Sequence, residues 1–315
     1  MNDRREPSRN EIRQYRRRQE QMRRAKRIRS IKRMLLCFLV MTVLVVCMAG
    51  AKKVFLEKSS TTAGTGEEKP EELSLVRSTK SEKTKTQIPY FEELKAMESQ
   101  DERISTVIDN IQDYPEEVLK ILANNIETLD FVLDYPQKKN QPCEETIGEN
   151  PVKGEIPLLL QWDRRWGYGS YGSSIVAVSG CGPTCIAMVA SGLTGRNDIT
   201  PYTVAQYSEN NGFLTAQLDT SWDLMTYGCE AFGITGTMLG LDEGAMVNTL
   251  NAGMPIICSV GKGDFTSKGH FIVLTGYTDG GFQVHDPNSK VRSSQSWTYE
   301  KLKGQILNMW YYTLN

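Results

Sequence analysis

Cysteine is scarce and scattered in this chain: seven of its 315 residues are cysteine, and no two of them are spaced as CxxC. That excludes a structural zinc ribbon, and the number is too small for a disulfide-stapled mini-protein. Histidine is scarcer still, at two, so imidazole chemistry can come only from His270 or His285. No internal repeat, collagen triplet or sustained heptad is present, which removes the fibrous and coiled-coil classes. With 39% hydrophobic and 24% charged residues the chain is too apolar for wholesale disorder and long enough for one or two packed domains. The net charge of −1 informs only by position: residues 1–33 hold 14 Lys and Arg against 4 Asp and Glu, leaving the remainder at −11. A fold that grips phosphates would carry its cations in its folded part, so the confinement of basic charge to one arm argues against a nucleic-acid-binding core.

What is present begins with an uncharged run of 18 residues, Met34 to Ala51, between Lys32-Arg33 and Lys52-Lys53. At about 1.5 Å per residue it spans about 27 Å, close to a bilayer core of about 30 Å. It reads as a transmembrane helix. The Lys/Arg bias keeps the arm of residues 1–33 in the cytoplasm and translocates everything after Ala51, giving a single-pass type II cell-membrane protein. Ala49-Gly50-Ala51 also resembles a signal-peptide cleavage site, but the basic region and the apolar core are both longer than such peptides usually have. The remaining chain is then expected outside the cytoplasm, where disulfides are permitted but not relied upon.

Residues 52–88, rich in Ser, Thr, Glu and Lys, read as a solvated, disordered stalk. Over residues 89–136 the apolar positions recur at helical spacing, with Pro115 as an N1 proline before Glu116-Glu117, and two or three short amphipathic helices are expected. Packing against the following domain is the expected role; occlusion of its cleft or binding of a partner are the alternatives. From residue 155 to 315 a compact domain is expected. A helix from Cys181 through Leu193, one from Pro201 to Asn211, one over Ser221 to Phe232 and one from Asp242 to Ala252 are followed by strand-like IICSV, HFIVLTGY, GFQVHD and ILNMWYYTL. Helices first and an antiparallel sheet afterwards is an α+β layout.

Gly180-Cys181-Gly182-Pro183 places a cysteine between two glycines at a helix start. The glycines allow a tight entry and close approach of a substrate backbone, and Pro183 fits a first turn where its missing N–H costs nothing. The free N–H groups and the helix dipole favour a negative sulfur, which is the nucleophilic form. Cys181 is therefore the candidate nucleophile, whereas Cys185, Cys229 and Cys258 lie in apolar stretches and read as small buried hydrophobes. His270, opening a strand after a loop with three glycines, is the candidate base, and Asp286, ending the next strand, the candidate orienting acid. Hairpin arithmetic sets a condition. With a Gly276–Gly280 loop, His270 lies opposite Asp286; with a two-residue Asp279-Gly280 turn, Asp286 opposes Val273 and lies about 10 Å away along the strand. A triad thus predicts the looser loop. Gln161, in an aromatic-rich turn upstream, is the candidate second oxyanion donor beside the Cys181 N–H.

Together, Gln161 with Trp166, Gly180-Cys181-Gly182-Pro183-Thr184, Gly269-His270-Phe271 and Asp286-Pro287 resemble the motifs of papain-like cysteine peptidases related to the bacteriocin-leader-processing peptidases, cysteine peptidase family 39, and more narrowly its stand-alone bacterial relatives. The resemblance covers about Ile156 to Asn315. It implies a papain-like fold and a thiol protease with Cys181 as nucleophile, His270 as base and then acid, Asp286 as orienting group and Gln161 as oxyanion donor. No metal or organic cofactor is implied. The leader peptidases are fused to an ATP-driven exporter on the cytoplasmic side, and no GxxxxGK[ST] occurs here, so no fused exporter is expected. The expected function is a membrane-anchored, extracytoplasmic cysteine peptidase acting on a peptide or protein substrate. A cell-wall peptide amidase or endopeptidase and a catalytically weak papain-like binding module are the alternatives.

Overall fold

The sheet is built from the strands the sequence marks most clearly. In the computed structural model, which describes residues 88–315, β4 (Ile256–Val260), β5 (His270–Thr278), β6 (Gly281–His285) and β8 (Ile306–Leu314) join β3 (Ile234–Met238) and the short β7 (Ser296–Trp297) in an antiparallel sheet of order β3-β8-β4-β5-β6-β7. A two-stranded hairpin, β1 (Ser170–Tyr171) with β2 (Ser174–Ile175), stands apart from it. The strands that the sequence did not mark are β1, β2, β3 and β7, each of five residues or fewer. The basic arm, the apolar run Met34 to Ala51 and the stalk lie outside the described residues. Among the described residues no helix is long and apolar enough to cross a membrane.

Eleven α-helices are described: α1 (Phe91–Met97), α2 (Ile104–Asp109), α3 (Glu116–Asn124), α4 (Leu129–Lys138), α5 (Val176–Ser179), α6 (Cys181–Thr194), α7 (Pro201–Asn211), α8 (Asp223–Thr226), α9 (Glu243–Asn251), α10 (Lys290–Ser293) and α11 (Tyr299–Lys303). Three of the expected helices form with the caps their sequences carry. Thr200 caps α7 before Pro201, Asp242 caps α9, and α6 ends on a left-handed Gly195. The stretch Ser221 to Phe232 is not one helix but α8 followed by a 3-10 turn over Gly228–Phe232. Upstream, four α-helices replace the two or three expected; Pro115 is the N-cap of α3 rather than its first residue, and Pro136 is accommodated inside α4.

Strand alternation decides what each face of the sheet meets. Ile257, Phe271, Val273, Trp310 and Tyr312 join α6 in one apolar cluster, while Ile256, Cys258, Ile272, Leu274 and Met309 join Met246 and Leu250 of α9 in another. The sheet is therefore covered by helix on both sides, which explains why α6 buries twelve of its fourteen residues. The helices α1–α4 form a third cluster that also takes in Leu160, Trp162, Tyr168 and Ala177. Phe131 of α4 stacks on Tyr168 at 4.2 Å, and the Tyr168 hydroxyl donates to the Phe131 carbonyl at 2.9 Å. This segment shares its core with the chain that follows it.

Candidate active site

Cys181 is the first residue of α6, and no side chain caps that helix end. The positive end of the helix dipole therefore faces the sulfur. Packing demands the glycine after it, because a Cβ at Gly182 would lie 2.7–2.8 Å from the Thr220 side chain. The expected close approach of a substrate backbone is taken at this position by the protein's own Thr220. The thiol itself is partly exposed, whereas Cys185, one turn further along the same helix, is sealed in the core. Burial pushes the thiols of Cys185, Cys229 and Cys258 up, that of Cys229 to about 12. This fits their reading as small hydrophobes. The five cysteines among the described residues are all free.

His270 opens β5 and is 8% exposed; Asp286 follows β6 and is fully buried. Three donors grip the Asp286 carboxylate: His270 Nε2 at 2.8 Å, the Asn288 N–H at 2.7 Å and Arg292 Nε at 2.5 Å. A carboxylate only accepts, so Nε2 carries the hydrogen of the His270 ring and Nδ1 is left for the sulfur. Burial by itself would depress the His270 pKa. The charge and hydrogen bond of Asp286 outweigh it, and with the hydrogen bond to Cys181 hold the imidazole above the ordinary histidine range. Burial likewise works to raise the Asp286 carboxyl, but His270 and then Arg292 hold it below the usual carboxylate range.

The hairpin that joins His270 to Asp286 departs from expectation. The turn is the tight one: Thr278 pairs with Gly281, and Asp279 and Gly280 both have positive φ, as a two-residue type I′ turn requires. What rescues the pairing is a bulge. Gly276 opposes Gln283 but Leu274 opposes Val284, so Thr275 is an extra residue in β5. Continued past Val273–His285, the shifted register sets Asp286 opposite Ile272, on the same side of the pleat as His270 and only two residues from it. Without the bulge, the tight turn would put the acid on the opposite face. The looser loop is not needed.

Gln161 is buried in the turn fixed by Trp166, whose indole N–H donates to the Leu160 carbonyl at 2.8 Å. Its side-chain amide donates to the carbonyl of Ala177, four residues before Cys181, at 2.7 Å, and its backbone N–H donates to the carbonyl of Pro287 at 2.8 Å. Gln161 thus ties the approach to the cysteine to the residue after the acid. One amide N–H remains uncommitted, and Oε1 is buried without a partner. His285, the other histidine, ends β6 opposite Val273; burial lowers its pKa, the Pro157 carbonyl partly offsetting this, and its Nδ1 has no partner.

A cysteine at a free helix end, an imidazole held between it and an ionised carboxylate, and a nearby side-chain amide form an arrangement suited to acyl transfer. Residues 153–315, just over half of the chain, match the Peptidase_C39 like family. The chain belongs to that family. No curated protein matches it. Its membership of the Peptidase_C39 like family brings a cysteine-peptidase-like character, and Gln161, Cys181, His270 and Asp286 all fall within the matched stretch. Sequence reasoning missed Arg292 and Ser293, which donate to the Asp286 carboxylate and accept from its backbone N–H at 2.9 Å. The available signal was Ser289, three residues after the acid, which caps α10 and thereby turns Arg292 back toward it.

Proposed function

We propose that this member of the Peptidase_C39 like family is a cysteine peptidase that hydrolyses peptide bonds through an acyl-enzyme on Cys181, held outside the cytoplasm by its N-terminal apolar run. The single observation that carries the reading is the His270 ring, 2.8 Å from the buried Asp286 carboxylate, with its pKa raised by Asp286 and then by Cys181. His270 takes the thiol proton, and the sulfur attacks the scissile carbonyl carbon. The Cys181 N–H and the spare Gln161 amide N–H stabilise the oxyanion. The C–N bond breaks as the amine leaves with the proton from His270, giving a thioester. Water then gives a proton to His270 and attacks the thioester, releasing the carboxylate and restoring the thiol. The site is suited to this because His270, raised in pKa, readily accepts the first proton and keeps it for the leaving group. The anchor rests on the uncharged stretch Met34 to Ala51 and the basic arm before it.

The test is a comparison of the extracellular peptides of cells carrying the native protein and cells carrying Cys181→Ala, with iodoacetamide labelling of the purified proteins. Fragments dependent on Cys181, and rapid labelling of Cys181 that is lost in His270→Ala, are the expected results. Digestion of purified wall material in place of protein would support an amidase or wall endopeptidase. Labelling of Cys181 no faster than that of Cys258 would leave a binding module.

A further inference from the structure

The family match begins at residue 153, yet the carboxylate of Asp286 is held in part from outside it. Two threads of hydrogen bonds run from the turn between α3 and α4 to the acid. In the first, Glu127 accepts from the Ser289 hydroxyl at 2.5 Å and from the Lys290 N–H at 2.7 Å. With its hydrogen committed to Glu127, Ser289 Oγ accepts the Arg292 N–H at 3.0 Å, and Arg292 Nε reaches Asp286 Oδ2. In the second, Asn125 Nδ2 donates to the Asn288 carbonyl at 2.6 Å, and the Asn288 N–H donates to Asp286 Oδ1. The same Asn288 carbonyl accepts from the Trp162 indole at 3.1 Å, so the Asp286 loop is gripped from the Gln161 side as well. At the other end of α3, Glu117 accepts from the Ser174 hydroxyl at 2.7 Å, two residues before the short helix that leads to Cys181.

We infer that the upstream helical segment is a built-in brace for the acid loop, and that Glu127 is a positioning residue that sets the Asp286 carboxylate through Ser289 and Arg292. The segment is then part of the working domain and not a detachable inhibitor. Ser289 is almost fully buried, so a misdirected hydroxyl there has no solvent to turn to. Geometry set at a distance matters because a displacement of about 1 Å at a reacting group costs up to about a hundredfold in rate.

This inference rests on the Cys181–His270 reading, and the test separates the two. In the full chain, the rate of Cys181 alkylation by iodoacetamide is followed across pH in native protein and in Glu127→Ala, Glu127→Gln, Ser289→Ala and Asp130→Asn. Asp130 lies on the same segment but is exposed, and its ion pair is with Arg103 of that segment. Glu127→Ala is expected to slow alkylation about tenfold and move the alkaline limb of the profile to lower pH, because His270 loses a well-placed carboxylate. Glu127→Gln, which keeps an acceptor for Ser289, is expected to recover most of the rate. Ser289→Ala should reproduce Glu127→Ala, which keeps the test available if the latter fails to fold. Asp130→Asn should match native protein. A native rate and profile in both Glu127→Ala and Ser289→Ala would overturn the inference, as would an equal change in Asp130→Asn. If His270→Ala leaves native alkylation unchanged, the reading of the site itself fails.

Discussion

The two histidines of this protein sit on neighbouring strands of one sheet, and their surroundings drive them in opposite directions. Burial lowers the pKa of His285, and a backbone carbonyl offsets only part of that. His270 is the more buried, yet it is raised, because its ring is bonded to an ionised carboxylate that is itself held by Arg292 and Asn288. Desolvation alone keeps an imidazole neutral; desolvation beside a fixed anion keeps it charged. The two rings stand on opposite sides of the pleat, because His285 pairs with Val273, three residues along β5 from His270, and alternate residues face opposite sides of the sheet.

The largest effect is expected from erasing one member of the contrast. His270→Ala should cut peptide hydrolysis by about 10⁵-fold or more, as loss of the base does when nucleophile and base act as a unit. His285→Ala should stay within a few-fold of native; steady-state kinetics on the two variants measures the gap, and equal losses would break the comparison. Next comes Asp286→Asn, which keeps the shape and removes the charge. Loss of the acid is expected to lower turnover by about 10⁴-fold at most. It also leaves Arg292 partly buried without its partner, a loss of about 3 kcal/mol in denaturant unfolding.

The pH dependence of stability follows from the same pair. His270, raised above 6.5, contributes stability that is complete below 6.5 and is lost as pH rises through its folded value. Asp286, lowered below 3.8, contributes stability that is present above 3.8 and is lost as pH falls through its folded value. Native protein should therefore be most stable between these limits, and Asp286→Asn should flatten both limbs in thermal melts against pH. The smallest effect is expected from Arg292→Gln, which removes one of the three grips on the acid. A loss of about 1–3 kcal/mol, with the acid limb moved to higher pH, would show that Arg292 helps to keep the carboxyl ionised.

Much of this was legible in the sequence because it depends on local chemistry. The cysteine at the start of α6, the Thr200-Pro201 and Asp242 caps, and the long apolar strands are properties of a few adjacent residues. Cys181, His270 and Asp286 meet as their types and order suggested. The route by which they meet was not legible, since nothing in Thr275-Gly276 distinguishes a bulge from a regular strand, and a single extra residue changes the face on which the acid stands. The edge strand β3 was missed for a related reason: Ile234–Met238 is short and polar in its middle, and is held by its pairing with β8, far along the chain. Glu127 and Ser289 lie 162 positions apart, a separation no local pattern encodes.

Because the chain has only two histidines, their ring resonances can be followed by NMR through a single pH titration of the native protein and of Asp286→Asn. One ring should stay protonated well above pH 6.5, disappear as a signal in His270→Ala, and fall back toward the ordinary range in Asp286→Asn, while the other titrates below 6.5 throughout. If the His270 ring of the native protein loses its proton at or below 6.5, it is not held as a cation beside Asp286, and the account of the site is wrong.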